Sequence, residues 1–328
     1  MALGPALASA DVSGGATLRG WRDRLRVPVI AAPLFLISNP RLVIAQCVAG
    51  VIGTLPALNA RPSAQFGEWL AEIIETLSQW NRRNPDKLAA PFGVNLVVHR
   101  SNPRLDDDLA QCAKHHVPLV ISSMGARAEV NAAVQAYGGV TLHDVINQAH
   151  ARKAIERGAT GLIAVAAGAG GHAGAVSPFA LMQELRVWFD GPLVLAGAIS
   201  SGRAIAAARL LGADLAYVGS AFIATEEASC AEAQKDAVVA SGADDIVYTP
   251  AFSGTPANYL RSSIVAAGLD PDDLPTTRRA TNVAAQDNAA KAWTDIWGCG
   301  QGIGNAHAIE PAAAVIDRLA REYDEVSA

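Results

Sequence analysis

Between residues 27 and 223 the apolar positions fall into short runs, each followed by a loop and then a longer alanine-rich stretch with helical spacing. The runs lie at 28–32, 51–55, 92–97, 117–122, 140–143, 161–166, 193–196 and 215–218. Their shortness, their β-branched residues and their flanking glycines predict buried strands rather than helices. The stretches between them predict helices at 40–49, 66–81, 104–115, 127–137, 144–157, 179–189 and 203–211. Asn39-Pro40 and Ser177-Pro178 mark helix starts, because proline is tolerated in the first turn. Gly158 and Gly212 mark helix ends, where glycine accepts a left-handed conformation. Strand and helix in strict alternation imply a parallel sheet. Eight such units in this length fit a closed (β/α)8 TIM barrel, with a doubly wound open sheet as the alternative.

After the eighth run the pattern changes. Residues 225–304 carry Thr-Pro, Ser-Gly-Thr-Pro and Asp-Pro breaks with short helical pieces between them. Residues 311–323 are again amphipathic. The expected organisation is a flexible tail at 1–17, a barrel built from 18–224 and 305–328, and an inserted, mostly helical lobe at 225–304 that covers the barrel mouth.

Composition agrees. Of the 328 residues 51% are apolar but only 5% aromatic, which suits small side chains packed between helices and a parallel sheet. The net charge of −5, with both signs mixed along the chain, argues against a nucleic-acid surface or a polybasic membrane patch. The longest apolar run, 27–37, is broken by prolines and too short to span a bilayer. The first residues lack a basic start and a long apolar core, so a cytoplasmic location is expected. Cys47, Cys112, Cys230 and Cys299 form no C-x-x-C pair and read as reduced thiols. Cys299, in a glycine-rich loop, reads either as a small apolar residue or as a neighbour of the site.

In such barrels chemistry gathers at the C-terminal ends of the strands. There the sequence places Ala32-Pro33, Asn95, Ser122-Ser123-Met124-Gly125, His143, a loop from Gly168 to Gly174, Gly197-Ala198-Ile199-Ser200-Ser201-Gly202, and Gly219-Ser220. Gly197, Gly219 and Ser220 sit where loops seven and eight commonly bind a phosphate on backbone N–H groups at a helix N-terminus, and Ser200 or Ser201 caps the helix that follows. His172 stands among four glycines, so backbone can lie against a flat ligand while the imidazole projects over it as an acid or base. The other six histidines have no metal-ligand spacing; His143 alone among them ends a strand and either faces the site or has a packed or capping role. Asp106, Asp107 and Asp108 read as partners of a helix dipole. There is no Walker loop and no G-x-S-x-G elbow.

Taken in order, Ala32-Pro33-Leu34, Phe92-Gly93-Val94-Asn95-Leu96, Gly170-Gly171-His172-Ala173-Gly174, Ala196-Gly197-Ala198-Ile199 and Gly219-Ser220-Ala221-Phe222 resemble the nitronate monooxygenases, formerly called 2-nitropropane dioxygenases. The resemblance implies FMN bound non-covalently at the barrel top. It places Ala32, Pro33, Asn95, Gly170 and Gly171 against the flavin. It gives Gly197 and Ala198, with Tyr217, Val218, Gly219 and Ser220, the phosphate, and makes His172 the catalytic histidine. The implied activity is oxidation of alkyl nitronates, or nitroalkanes, by O2 to a carbonyl compound and nitrite; a homodimer is the assembly left open. Phe252, Tyr259, Trp293 and Trp297 read equally as cavity wall or lobe core. The chain departs from the family's Gln-Gly-x-Glu-Ala-Gly-Gly-His: Val165, Ala166, Ala167 and Gly168 fill its first four positions. Ala198 replaces a glycine, and Leu34 stands where methionine is common. The same loop also resembles that of FMN-dependent enoyl-thioester and NAD(P)H:quinone reductases. A flavin-dependent isomerase and a non-catalytic phosphate-ligand binder are the remaining alternatives.

Overall fold

The computed structural model describes residues 12–275 and 293–327. Numbered along the chain, the barrel strands are β1 (Val29–Ala31), β2 (Gly53–Pro56), β3 (Phe92–Val97), β4 (Leu119–Ser123), β5 (Val140–Val145), β6 (Gly161–Val165), β8 (Leu193–Ala196) and β9 (Leu215–Val218), with β7 (Gly171–His172) lying outside the barrel. All neighbouring barrel strands are parallel, in the order β1-β9-β8-β6-β5-β4-β3-β2. The ends meet: Ala31 N donates to Ile52 O at 2.8 Å, and Ile30 bridges Ile52. The sheet is therefore a closed TIM barrel, as expected.

Period-two alternation divides the strand residues into two sets. Ile30, Ile121, Leu142, Ile163 and Val194 point into the barrel, while Val29, Leu162, Ala164, Leu195 and Ala216 pack under the helices. The surrounding helices are α2 (Pro40–Ala49), α3 (Ala64–Arg83), α4 (Leu105–Lys114), α5 (Ala128–Ala136), α6 (Gln148–Glu156), α7 (Pro178–Arg186) and α8 (Gly202–Leu210), preceded by α1 (Val12–Arg22). Asn39 caps α2 by accepting from Leu42 N, and Ser201 caps α8 by accepting from Ala204 N.

Helix α1 corrects the expected tail. Residues 12–17 belong to it, and residues 1–11 lie outside the described residues. The reason is Leu18, only 1% exposed, which packs among Leu119, Val140 and Leu215, the first residues of three strands. It plugs the end of the barrel opposite the mouth.

The segment after β9 differs from the mostly helical lobe expected. It contains α9 (Glu232–Val239) and α10 (Arg261–Ala266), but its centre is an antiparallel hairpin of β10 (Ile246–Thr249) and β11 (Ala257–Leu260). The far edge of β11 pairs with β7, so the hairpin grips the strand-six loop: Ala257 opposes His172 and Asn258 opposes Gly171. Residues 276–292 of the expected lobe lie outside the described residues. Helix α11 (Ala312–Ser327) then returns between α8 and α2. It buries Ala312, Val315, Ile316, Leu319 and Ala320, the spacing of one helical stripe, and completes the ring. No helix among the described residues is long and apolar enough to cross a membrane.

Candidate active site

A cavity of about 780 Å3 opens at the C-terminal ends of the strands. Ala32, Pro33, Asn95, Gly170, Gly171, His172, Gly197, Ala198, Tyr217, Gly219 and Ser220 all border it. Val218 does not. Alternation turns its side chain outward into the helix-facing core, and its carbonyl accepts from Ala32 N at 2.8 Å.

The glycine-rich loop is held on every side. Asn258 Nδ2 donates to Ala169 O at 2.7 Å, Gln301 N to Gly168 O at 2.9 Å, and Tyr248 OH to Ala173 O at 3.0 Å. Glycine is needed at 170 for close approach, because a Cβ there would lie 2.9 Å from Gly300 N. These lobe contacts were not legible in the loop itself.

His172 is clamped by the same lobe. Its Nε2 lies 3.0 Å from Ser253 Oγ, and its ring meets Trp293 edge-on at 5.3 Å between centroids. Ser253 Oγ donates to the carbonyl of Thr255 at 2.9 Å and accepts from Tyr259 OH at 3.3 Å. Its one proton is thus committed to an acceptor-only partner, so Nε2 carries the histidine proton and Nδ1 the lone pair. Burial holds the imidazole below its ordinary pKa, so it is neutral at neutral pH.

A polar group missed in the sequence lies on β5, the strand next to β6. The strand expected to end at His143 runs on to Val145, and α6 begins only at Gln148, capped by Asn147. Asp144, expected in the first helical turn, is therefore a strand residue on the interior face with Leu142. Ser123 Oγ donates to Asp144 Oδ2 and accepts from Asn95 Nδ2 at 2.6 Å. Asp144 Oδ1 and Tyr217 OH are both removed from solvent with no hydrogen-bond partner. Burial pushes the Asp144 carboxyl up to about 6, against the pull of the Ser123 hydrogen bond. Burial, and then the Asp144 charge, raise the Tyr217 phenol well above its ordinary value. The signal available in the sequence was the alternation Leu142-in, His143-out, Asp144-in.

His143 takes the packed role. It borders the cavity, but its Nε2 is 2.8 Å from Asn131 Oδ1 on α5, and burial lowers its pKa to about 4. The thiol of Cys299 is buried and pushed up to about 12, which fits a packing residue. Of the four aromatic candidates, Trp293 walls the cavity, and Tyr259 and Phe252 stack behind it in the lobe core. Trp297 packs on the barrel side.

At the opposite rim, Gly197 (φ 137°) and Ala198 (φ 52°) follow β8, and Gly219 and Ser220 follow β9. Ser220 Oγ accepts from Gly300 N at 2.8 Å. The left-handed angle at Ala198 costs about 1–2 kcal/mol that glycine would not. The replacement of the family's glycine is therefore not neutral for the backbone. The first N–H of α8 does not face the cavity: Gly202 N donates to Glu322 Oε2 at 2.8 Å.

The chain is similar to several known proteins. The family model described as nitronate monooxygenase matches residues 23–322. A nitronate monooxygenase of Paraburkholderia phytofirmans is 28% identical, over 91% of this chain and 92% of the relative. A (3aS,4S,5R,7aS)-5-hydroxy-7a-methyl-1-oxo-octahydro-1H-indene-4-carboxyl-CoA dehydrogenase of Rhodococcus jostii is 27% identical, over 73% of this chain and 64% of the relative. Among solved structures, a nitroalkane oxidase of Streptomyces ansochromogenes superposes with a TM-score of 0.73 and 26% identity, covering 93% of this chain and 98% of that one. With its family match spanning nearly the whole barrel and lobe, the chain belongs to the nitronate monooxygenase family, whose members are flavin-dependent oxidoreductases.

Proposed function

We propose that the protein is an FMN-dependent enzyme that oxidises alkyl nitronates, and nitroalkanes after proton removal, with O2 as acceptor, giving a carbonyl compound and nitrite. The observation that carries this reading is His172. It is neutral, fixed by Ser253 and Trp293, and set over a cavity whose volume lies within the range of roughly 300–1,000 Å3 typical of ligand sites.

The residues fit FMN. The unpartnered Asp144 Oδ1 and Tyr217 OH, both on the cavity wall, suit the polar edge of a flat ring. Gly197, Ala198, Gly219 and Ser220 would hold its phosphate; Asn95, Ala32 and Pro33 would lie near the ring. When bound, the flavin supplies the redox chemistry. The chain supplies the rest. His172 Nδ1 accepts the α-proton of a nitroalkane, and afterwards the imidazolium holds the anionic substrate in place. Ser253 fixes the tautomer that makes this possible. Trp293 and the lobe shield the reacting carbon from water.

The test is an anaerobic visible spectrum of purified protein with an alkyl nitronate, run beside the His172→Ala variant. Flavin reduction by the nitronate, and a variant that retains FMN but loses turnover by about 100-fold or more, support the reading. No flavin, even after FMN is offered, overturns it. A second reading, FMN-dependent redox chemistry beside an acyl thioester, is favoured by one observation: the cavity adjoins an open basic groove.

A further inference from the structure

On the rim formed by the loops after β3 and β4 and by α6, the cavity passes into a groove of about 420 Å3. The two share Met124, Gly125, Ala126 and Lys153 and so adjoin. Arg100, Arg127 and Lys153 line the groove, and no carboxylate does. In a chain with a net charge of −5, this is a local reversal of sign. Arg100 and Lys153 are exposed and have no ion-pair partner among the described residues. Arg127 directs Nε and Nη2 to Glu129, both at 2.7 Å, which leaves Nη1 for another acceptor. His99 adds a ring nitrogen close by, its Nδ1 2.8 Å from Ser101 Oγ.

The position matters as much as the charge. Sheet order places β3 and β4 across the barrel from β8 and β9. The groove is therefore not the site offered to the flavin phosphate. The mouth carries two anion-ready places on opposite rims, with His172 and the cavity between them. A nitronate has one charge and few atoms, and it uses neither the length nor the clustered cations of the groove. Guanidinium and ammonium groups grouped at an open mouth match a multiply charged phosphate tail, which they attract and orient.

We infer that Arg100, Arg127 and Lys153 form a subsite for a nucleotide-type diphosphate, carried by a long ligand whose reactive end lies in the cavity beside His172. Two sources share that chemistry: an acyl thioester on a phosphorylated nucleotide carrier, and a reduced dinucleotide. The inference rests on the reading of the His172 cavity as the reaction site.

The experiment is a titration of the FMN-loaded protein with coenzyme A, NADPH and inorganic pyrophosphate, at low and at high salt. The wild type and an Arg100→Gln/Arg127→Gln double variant, at two residues that line the groove alone, are compared, with flavin content and nitronate response measured in parallel. Expected are salt-sensitive binding by the wild type and a loss of about tenfold in affinity per cation removed, the scale of a charge-assisted hydrogen bond. Flavin content and nitronate response should not change. Bleaching of the flavin by NADPH identifies the dinucleotide as the source; binding of coenzyme A without bleaching by NADPH identifies the thioester carrier. If none of the three probes binds, or if the double variant binds them as the wild type does, the inference is wrong. Absent flavin would instead remove the reading on which it rests, and is seen separately in the spectrum.

Discussion

Asp144 offers a quantitative test of the site's electrostatics. Its carboxyl is raised from 3.8 to about 6, chiefly by burial, so the ionised form is disfavoured in the folded protein relative to the unfolded chain. Because the folded value lies above the unfolded one, the penalty is absent below about pH 4. It grows as pH rises between the two values and is complete above about 6. A shift of two units corresponds to about 3 kcal/mol at 1.36 kcal/mol per unit, an upper figure because water in the open cavity reaches this half-buried residue. Asp144→Asn is nearly isosteric and keeps an oxygen to accept from Ser123. The flavin-free variant should therefore be more stable than wild type by up to about 3 kcal/mol at pH 7.5, and close to wild type at pH 4. Urea unfolding at both pH values measures this directly. A gap that does not change with pH would refute the account, and one that grew towards acid would reverse its sign. Such a cost at rest is expected of a group kept for function rather than for folding.

Three further outcomes follow from the same geometry. Because burial lowers the His172 pKa, kcat/KM for a nitroalkane should hold steady as pH falls to about 6.5, the ordinary histidine value, and decline only below it; a decline beginning near pH 8 would contradict a neutral imidazole. Ser253→Ala should lower kcat roughly 3- to 10-fold, the value of one hydrogen bond, with FMN content unchanged, as measured by turnover and the flavin spectrum. Leu18→Ala should cost about 2–5 kcal/mol in denaturant unfolding, as for other fully buried leucines, while the folded fraction keeps its flavin.

Most of the barrel was legible because a parallel strand buried on both faces is a short apolar run and little else. The segments 92–97, 193–196 and 215–218 coincide with β3, β8 and β9. Strand five was cut short because Asp144 reads locally as a polar helix start, although it continues the inward phase of Leu142. Helix α1 was missed because its 11 residues carry little apolar periodicity, and only tertiary contact at Leu18 reveals its role. The hairpin of the lobe was hidden by its threonines, prolines and glycines, which announce turns. Its partner β7 is two residues long, too short to register as a strand in any window. The candidate site divides along the same line. Residues on barrel strands and their tight loops were readable in order, whereas Ser253, Asn258 and Gln301 reach the glycine-rich loop from 80 or more residues away in sequence.

That separation bears on how the protein becomes competent. The barrel's strand pairs link neighbouring βα units, but β7 finds its partner only across a long stretch of chain, and closing such a loop is entropically slow. The barrel can thus mature before His172 is seated. Amide exchange should then show Gly171, His172 and Asn258 opening together, and more readily than the barrel strands. Changes confined to the hairpin would shift the His172 imidazole while leaving the strand pairing of the barrel in place, so the lobe is the part of this chain in which the mouth can be reshaped apart from its scaffold.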